Sequence, residues 1–223
     1  IQDILLAAVL QHFPAVRCIA EERTALKKRF AGNTSPYTVI LDPIDGTFHF
    51  KRGDAPYHIT IGLAYKGKMI ASIVARPSED KIFTAIKGEG AYVQLGKGRP
   101  RRLSLPQKPR NNSAFISSKA RPHQALAQPT FDPHERPIGA ALVLTRLAEG
   151  EHCAYLTRQV EIYDAGPPSL IAEEAGAVCY TEVNRKPVYS QRRKFAYFVA
   201  AANDDIAAQL FAIIRQVKRD NNA

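Results

Sequence analysis

The chain has 223 residues, 45% of them hydrophobic and 23% charged, which is the composition of a globular protein long enough to bury a core without staples. These values exclude a disordered chain. No apolar run reaches the length of a bilayer span and no signal-peptide pattern opens the sequence, so a soluble, non-membrane protein is expected. Thirty-one Lys and Arg against 21 Asp and Glu leave a formal charge of +10, a field that attracts phosphates, nucleic acid and anionic membranes alike.

The first element is a helix over Ile1 to Leu10, read from its apolar spacing; it starts without a methionine or a clear cap, so a preceding segment is expected. Short strands follow at Val16 to Ala20, leading into Glu21-Glu22, and at Tyr37 to Leu41, leading into Asp42. Tyr57–Ala64, Met69–Ala75, Lys81–Ile86 and Ala91–Gln94 read as an antiparallel meander, with turns at Lys66-Gly67-Lys68 and Gly88-Glu89-Gly90. Between Gly96 and Asn112 the composition shifts to Gly, Pro, Lys and Arg, which predicts a loop and a boundary near Arg110. The parts are then 1–110, α+β, and 111–223, α/β. The second half reads as a strand at Ala114–Ser117, a Pro-rich stretch, helices at Gly139–Ala148 and Asp164–Ala175, a strand at Ala196–Ala201 and an amphipathic helix from Asp204 to Val217. Cys18, Cys153 and Cys179 are odd in number, widely spaced and form no C-x-x-C, so they read as reduced thiols of a cytoplasmic protein.

The most informative segment is Asp42-Pro43-Ile44-Asp45-Gly46-Thr47. An apolar strand delivers one carboxylate, a second follows three residues later, and a turn into a helix there would set outward-facing amides of Gly46 and Thr47 beside both. Such a segment offers oxygen ligands to a hard divalent cation and amides to a phosphate. Asp-Gly is also a common turn, and Asp or Thr a routine cap, so single residues here do not decide between structure and chemistry. The hexamer as a whole does, because a chance match in a chain of this length is on the order of 10⁻⁵.

The hexamer resembles the D-P-I/L-D-G-T signature of the inositol monophosphatase superfamily, which includes fructose-1,6-bisphosphatases and 3′-phosphoadenosine 5′-phosphate phosphatases. Ile19-Ala20-Glu21-Glu22 is similar to the family's strand-ending E-E. Tyr163-Asp164-Ala165-Gly166 through Glu174-Ala175-Gly176-Ala177 is similar to its W-D-x-A…E-A-G box, and Lys87-Gly88-Glu89-Gly90-Ala91-Tyr92 and Gly139-Ala140-Ala141 match segments between them. The likeness is colinear from Glu21 to Ala177. It implies a five-layer α-β-α-β-α sandwich of mixed α+β and α/β type, and a cytoplasmic, frequently homodimeric, lithium-sensitive Mg²⁺-dependent phosphatase. Its substrate would be a small phosphate monoester, first an inositol monophosphate, with a bisphosphate nucleotide or fructose 1,6-bisphosphate as the alternative. It further implies that Glu21, Asp42, Asp45, Asp164 and the carbonyl of Ile44 hold two or three Mg²⁺ ions, and that Glu21 and Thr47 position the attacking water. Asp45, Gly46, Thr47, Ala141 and Asp164 meet the substrate. Glu22 falls outside the ligand set.

Three departures accompany the resemblance. The family's upstream T-x-x-D segment would fall before Ile1, leaving Thr47 without its expected partner. Tyr163 replaces the usual Trp. The Glu that meets inositol hydroxyls seven residues before Asp164 is Thr157, followed by Arg158, which reads either as facing a second phosphate or as a solvated strand-edge residue. The six histidines, His12, His49, His58, His123, His134 and His152, lack paired ligand spacing and read as structural. A haloacid dehalogenase reading fails because its two aspartates stand one residue apart, whereas Asp42 and Asp45 are separated by two. A nucleic-acid-binding module, suggested by Lys97–Arg102 and by Arg192, Arg193 and Lys194, lacks any accompanying motif and reads as solvated loops.

Overall fold

The computed structural model describes residues 1–53, 56–106, 108–128, 130–134, 139–181, 185–190 and 194–220, and in these the side chains of all but Ser118, Arg121, Pro133 and His134. Arg192 and Arg193 lie outside the described residues, as does the side chain of His134.

The N-terminal half builds one seven-stranded sheet in chain order: β1 (Arg17–Ala20), β2 (Tyr37–Asp45), β3 (His58–Tyr65), β4 (Lys68–Arg76), β5 (Lys81–Ile86), β6 (Gly90–Leu95) and β7 (Arg101–Leu103). Only β1 and β2 run parallel, because the chain between them crosses over through the short helix α2 (Ala25–Lys28); every later pair is joined by a turn and is antiparallel. The expected loop from Gly96 to Asn112 therefore contains a strand, β7, whose Leu103 is buried while its two arginines stay exposed. Two arginines and one leucine give too short an alternation to stand out from a basic loop.

The second sheet has the order β11-β12-β10-β8-β9, from β8 (Ser113–Ile116), β9 (Asp132–His134), β10 (Ala154–Glu161), β11 (Val178–Thr181) and β12 (Lys194–Ala201). Its helices are α4 (Arg121–Ala127), α5 (Ala140–Glu149), α6 (Ile162–Glu174) and α7 (Asp204–Asp220). Among these, α4, β9, β10 and β11 escape the sequence reading. In β10, Ala154 to Thr157 are all buried, so the strand has no period of two to detect.

The layers follow from which faces are apolar. Helix α1 (Gln2–His12) covers part of the outer face of the first sheet through Leu6, Val16, Val39 and Leu41. Helices α5 and α6 lie between the two sheets, and α4 and α7 cover the outside of the second, where Leu210, Phe211 and Ile214 meet Ile116, Leu156 and Val199. The result is α-β-α-β-α. Helix α6 approaches β3 closely: a Cβ on Gly62 would stand 3.2 Å from Pro167, and the Ser72 hydroxyl donates to the Pro167 carbonyl at 2.6 Å. Pro167 also cannot donate to the Tyr163 carbonyl, which instead faces the Thr60 hydroxyl at 3.5 Å.

Candidate active site

Strand β2 carries the D-P-I-D segment in extended form to its end, and a register shift against β3 between Asp42 and Asp45 brings both carboxylates to the buried end of the sheet. Asp42 Oδ1 accepts the Ile44 amide at 2.9 Å, a local turn that fixes the side chain. Gly46 then takes φ +87°, a left-handed conformation that glycine adopts without penalty, and starts helix α3 (Thr47–Arg52). The Thr47 hydroxyl donates to the Ile44 carbonyl at 2.8 Å, so Thr47 has an internal partner and Ile44 O keeps one lone pair.

Asp45 is held from the other half of the molecule. Its Oδ1 accepts the Ala140 amide at 3.1 Å and its Oδ2 the Ala141 amide at 3.0 Å, both from the first turn of α5, where unpaired amides and the helix dipole favour an anion. This contact explains the Gly-Ala-Ala segment: a Cβ on Gly139 would stand 2.0 Å from Asp45 Oδ2. The Ala141 amide is thus committed to Asp45. Asp164 lies in the first turn of α6, where Glu161 is the cap position and Asp164 accepts the Glu161 amide. It is a first-turn acid, not the cap.

One oxygen from each of Asp42, Asp45 and Asp164 fits within 4.8 Å of the others. Glu21, at the end of β1, is hydrogen-bonded to Asp42 and lines the same cavity of about 410 Å³ with Ile44, Gly46, Thr47, His49, Ser117, Lys119, Gly139 and Thr157. Glu22 is exposed, its amide bonded to the buried Gln2. Desolvation and the neighbouring carboxylates push the pKa values of Asp42, Asp45 and Asp164 up. Asp42 rises to about 10 through burial and then Asp45, Asp164 and Glu21; Asp164 rises to about 7 through burial and Glu21, opposed by Lys119. Burial raises Asp45 too, against the pull of the two amides. Carboxylates forced together, with Lys119 the one lysine or arginine among the described lining residues to oppose them, are the donor set of hard divalent cations, so these residues fit Mg²⁺.

The remaining contacts sort the other residues. Arg158 stacks over Tyr197 with 5.2 Å to the ring centroid, while its strand neighbour Thr157 lines the cavity. Alternation along β10 sends the two side chains to opposite faces, and β10 lies second from neither edge but in the middle of its sheet. Arg158 therefore neither faces a second phosphate in this cavity nor sits on a strand edge. The basic run from Lys97 to Arg102 is exposed on the edge at β7, five strands and roughly 24 Å from β2. The Lys-Gly-Glu-Gly turn docks on α6: Gly88 and Gly90 amides each donate to Glu174 Oε2 at 3.0 Å, and Lys87 pairs with Oε1 at 3.0 Å. Lys119, Ser117 and His49 are among the cavity residues that sequence reasoning missed. The available signal was position, since Ser117 and Lys119 follow the carboxyl end of β8, where such sheets place their sites.

Comparison with known proteins agrees with this geometry. A fructose-1,6-bisphosphatase from Pyrococcus furiosus is 29% identical over 79% of this chain and 65% of its own length, and human inositol monophosphatase 2 is 27% identical over 80% and 64%. The chain thus spans just under two thirds of the length of these relatives. Among solved structures, an inositol monophosphatase from Anabaena superposes with a TM-score of 0.79 at 20% identity, over 96% of this chain and 84% of that one. Extragenic suppressor protein SuhB from Bartonella henselae gives 0.78 at 22%, over 96% and 85%. These likenesses establish the layered fold. The sequence profile of the inositol monophosphatase family matches residues 1–219, and with its acid-bearing segments folded to one point, the chain belongs to that family.

Proposed function

We propose that this protein is a Mg²⁺-dependent phosphomonoesterase acting on a small phosphorylated metabolite. One observation carries the reading: Asp42 and Asp45 of β2 and the sequence-remote Asp164 of α6 have oxygens within 4.8 Å of one another at one cavity. Asp42, Asp45, Asp164, Glu21 and the Ile44 carbonyl would hold the metal. When bound, Mg²⁺ supplies the Lewis acid that polarises the phosphoryl group and acidifies water. The protein's part is positioning. The Thr47 hydroxyl donates its hydrogen bond to Ile44 O, so its lone pairs can accept a hydrogen bond from a water. Glu21 lines the same cavity and offers a second acceptor, and a water held by both would be positioned for in-line attack. Gly46 and Thr47 open the turn against which the phosphate would lie, beside Asp45 and Asp164, and Ala141 contributes by orienting Asp45.

Inositol monophosphate-type substrates are the first reading, from family membership. A second, a bisphosphate or other substrate with an anionic leaving group, is favoured by Lys119: besides the acids assigned to the metal, the polar lining includes Lys119, His49, Ser117 and Thr157, with no further carboxylate among the described residues for polyol hydroxyls. A homodimer, a cytoplasmic location and inhibition by lithium belong to the same proposal. Phosphate release from inositol 1-phosphate, fructose 1,6-bisphosphate, histidinol phosphate and 3′-phosphoadenosine 5′-phosphate, with Mg²⁺ and with EDTA, tests it. Turnover of at least one compound that vanishes with EDTA is expected; undiminished turnover in EDTA refutes the reading.

A further inference from the structure

Behind Asp45, on the side away from the cavity, lies a buried polar circuit that the phosphatase reading does not use. His58, at the start of β3, is the register partner of Asp45 on β2 and is fully buried. Arg76, at the end of β4, is 1% exposed. Its Nε donates to His58 Nε2 at 3.0 Å, its Nη2 to the Thr145 hydroxyl at 2.6 Å, and its Nη1 to Glu79 at 2.9 Å, with Glu149 at 3.5 Å. Thr145 donates in turn to the Ala141 carbonyl at 2.7 Å, and the Ala141 amide donates to Asp45 Oδ2. His58 Nδ1 lies 4.0 Å from that same Oδ2, so the circuit stops one contact short of closing.

The chemistry of the donors fixes the ring's protonation. A guanidinium has no lone pair, so His58 Nε2 accepts, and an accepting Nε2 leaves the neutral imidazole's proton on Nδ1. That Nδ1 is fully buried and has no hydrogen-bond partner among the described residues. A buried donor without a partner is costly, and the carboxylate oxygen Asp45 Oδ2 lies 4.0 Å from it. A buried ring, a fixed tautomer and a donor nitrogen close to a carboxylate are the features of a group that braces a metal ligand.

We propose that His58 is a positioning residue for Asp45. Its Nδ1–H supports Oδ2 from behind, Arg76 enforces the tautomer that makes this possible, and Thr145 ties the same guanidinium to the helix turn that holds Asp45. The proposal rests on Asp45 being a metal ligand. It assigns His58 no contact with substrate.

Two measurements test it. In wild-type protein with ring-¹⁵N histidine, His58 should show a protonated Nδ1 and an unprotonated Nε2, and the Nδ1–H proton should move downfield on adding Mg²⁺, a shift absent in Asp45→Asn. In calorimetric Mg²⁺ titrations, His58→Ala should bind the ion about 10–100-fold more weakly, the range for such supporting groups. His58→Asn, whose amide can place an N–H near the Nδ1 position, should recover binding to within about threefold of wild type, whereas a mere packing defect would leave Asn no better than Ala. An Nε2–H tautomer, or unchanged Mg²⁺ affinity in a folded His58→Ala, overturns the proposal alone. Wild-type protein that binds no Mg²⁺ takes down the metal reading with it. Should His58→Ala fail to fold, the wild-type spectrum and His58→Asn still decide.

Discussion

Two cavities flank strand β2, and they are opposites. The larger, about 610 Å³, lies on the outer face of the first sheet beside α1, lined by Val9, Phe13, Val39, Ile61, Leu63 and Ile73. The smaller, about 410 Å³, gathers Glu21, Asp42, Asp45 and Asp164. Size and apolarity describe where a shape could be filled. They say nothing about reaction, whereas like charges held together out of water exist only where something else repays the repulsion. Of the two, it is the electrostatically unfavourable cavity that calls for a bound cation.

The sharpest way to break that comparison is to neutralise the acids. Asp164→Asn or Asp42→Asn removes one anionic ligand while preserving shape, and loss of several kcal/mol of transition-state stabilisation corresponds to on the order of 10³ or more in kcat/KM. Steady-state phosphate release measures it; activity within tenfold of wild type would remove these residues from the chemistry. Gly139→Ala comes next. The new methyl would meet Asp45 Oδ2 at 2.0 Å, with α5 fixed by its own packing, so a loss of about 1–3 kcal/mol in denaturant unfolding is expected along with weakened Mg²⁺ binding. Unchanged stability would mean that Asp45 is not clamped there. Lys119→Ala should raise KM for fructose 1,6-bisphosphate by about tenfold, the value of one charge-assisted contact, and leave KM for phenyl phosphate within twofold. An equal effect on both would place Lys119 on the scissile phosphate.

Protonation gives a subtler readout. In the metal-free fold Asp42 and Asp164 have pKa values raised from 3.8 to about 10 and about 7. A raised carboxyl pKa means that the folded state binds more protons than the unfolded one, so its contribution is fully present below about 3.8 and is lost as pH climbs through 7 toward 10. Metal-free wild type should therefore lose stability relative to Asp42→Asn between pH 4 and pH 9, by at least about 1 kcal/mol, or roughly 2–4 °C in Tm. Saturating Mg²⁺ should abolish the difference by stabilising only the wild type. A pH-independent difference in EDTA would mean that the acids do not repel.

Much of this site was legible in the sequence because each carboxylate sits in a local pattern: Glu21 and Asp42 close apolar strands, and Asp45 precedes the one residue type, Gly46, that takes the left-handed turn without strain. The antiparallel meander was legible for the same reason, with one half-buried face giving a period of two. What stayed hidden depends on pairing across the chain. Strand β10 is buried on both faces at Ala154–Leu156 and so carries no period. Lys119 reaches the cavity only where β8 meets β10, and Arg158 is kept from it because β12 covers its face with Tyr197. Histidine 58 shows no motif at all; its tautomer is set by Arg76, eighteen residues away on the next strand.

The smallest expected effect probes the apolar cavity. Ile73 on β4 is 48% exposed and lines it, on the face of the sheet opposite to α6. Ile73→Thr keeps the β-branched shape suited to a strand and removes apolar surface from a half-wet position, so unfolding free energy should move by no more than about 0.5 kcal/mol. Phosphate release should be unchanged within error, because Val74, the neighbour whose side chain points inward, keeps the contact with Phe83 and the packed layer under the site. A tenfold fall in kcat/KM from this substitution would show that the two cavities communicate through β2–β4, and the separation between a merely apolar region and a chemical one would have to be redrawn around the sheet that joins them.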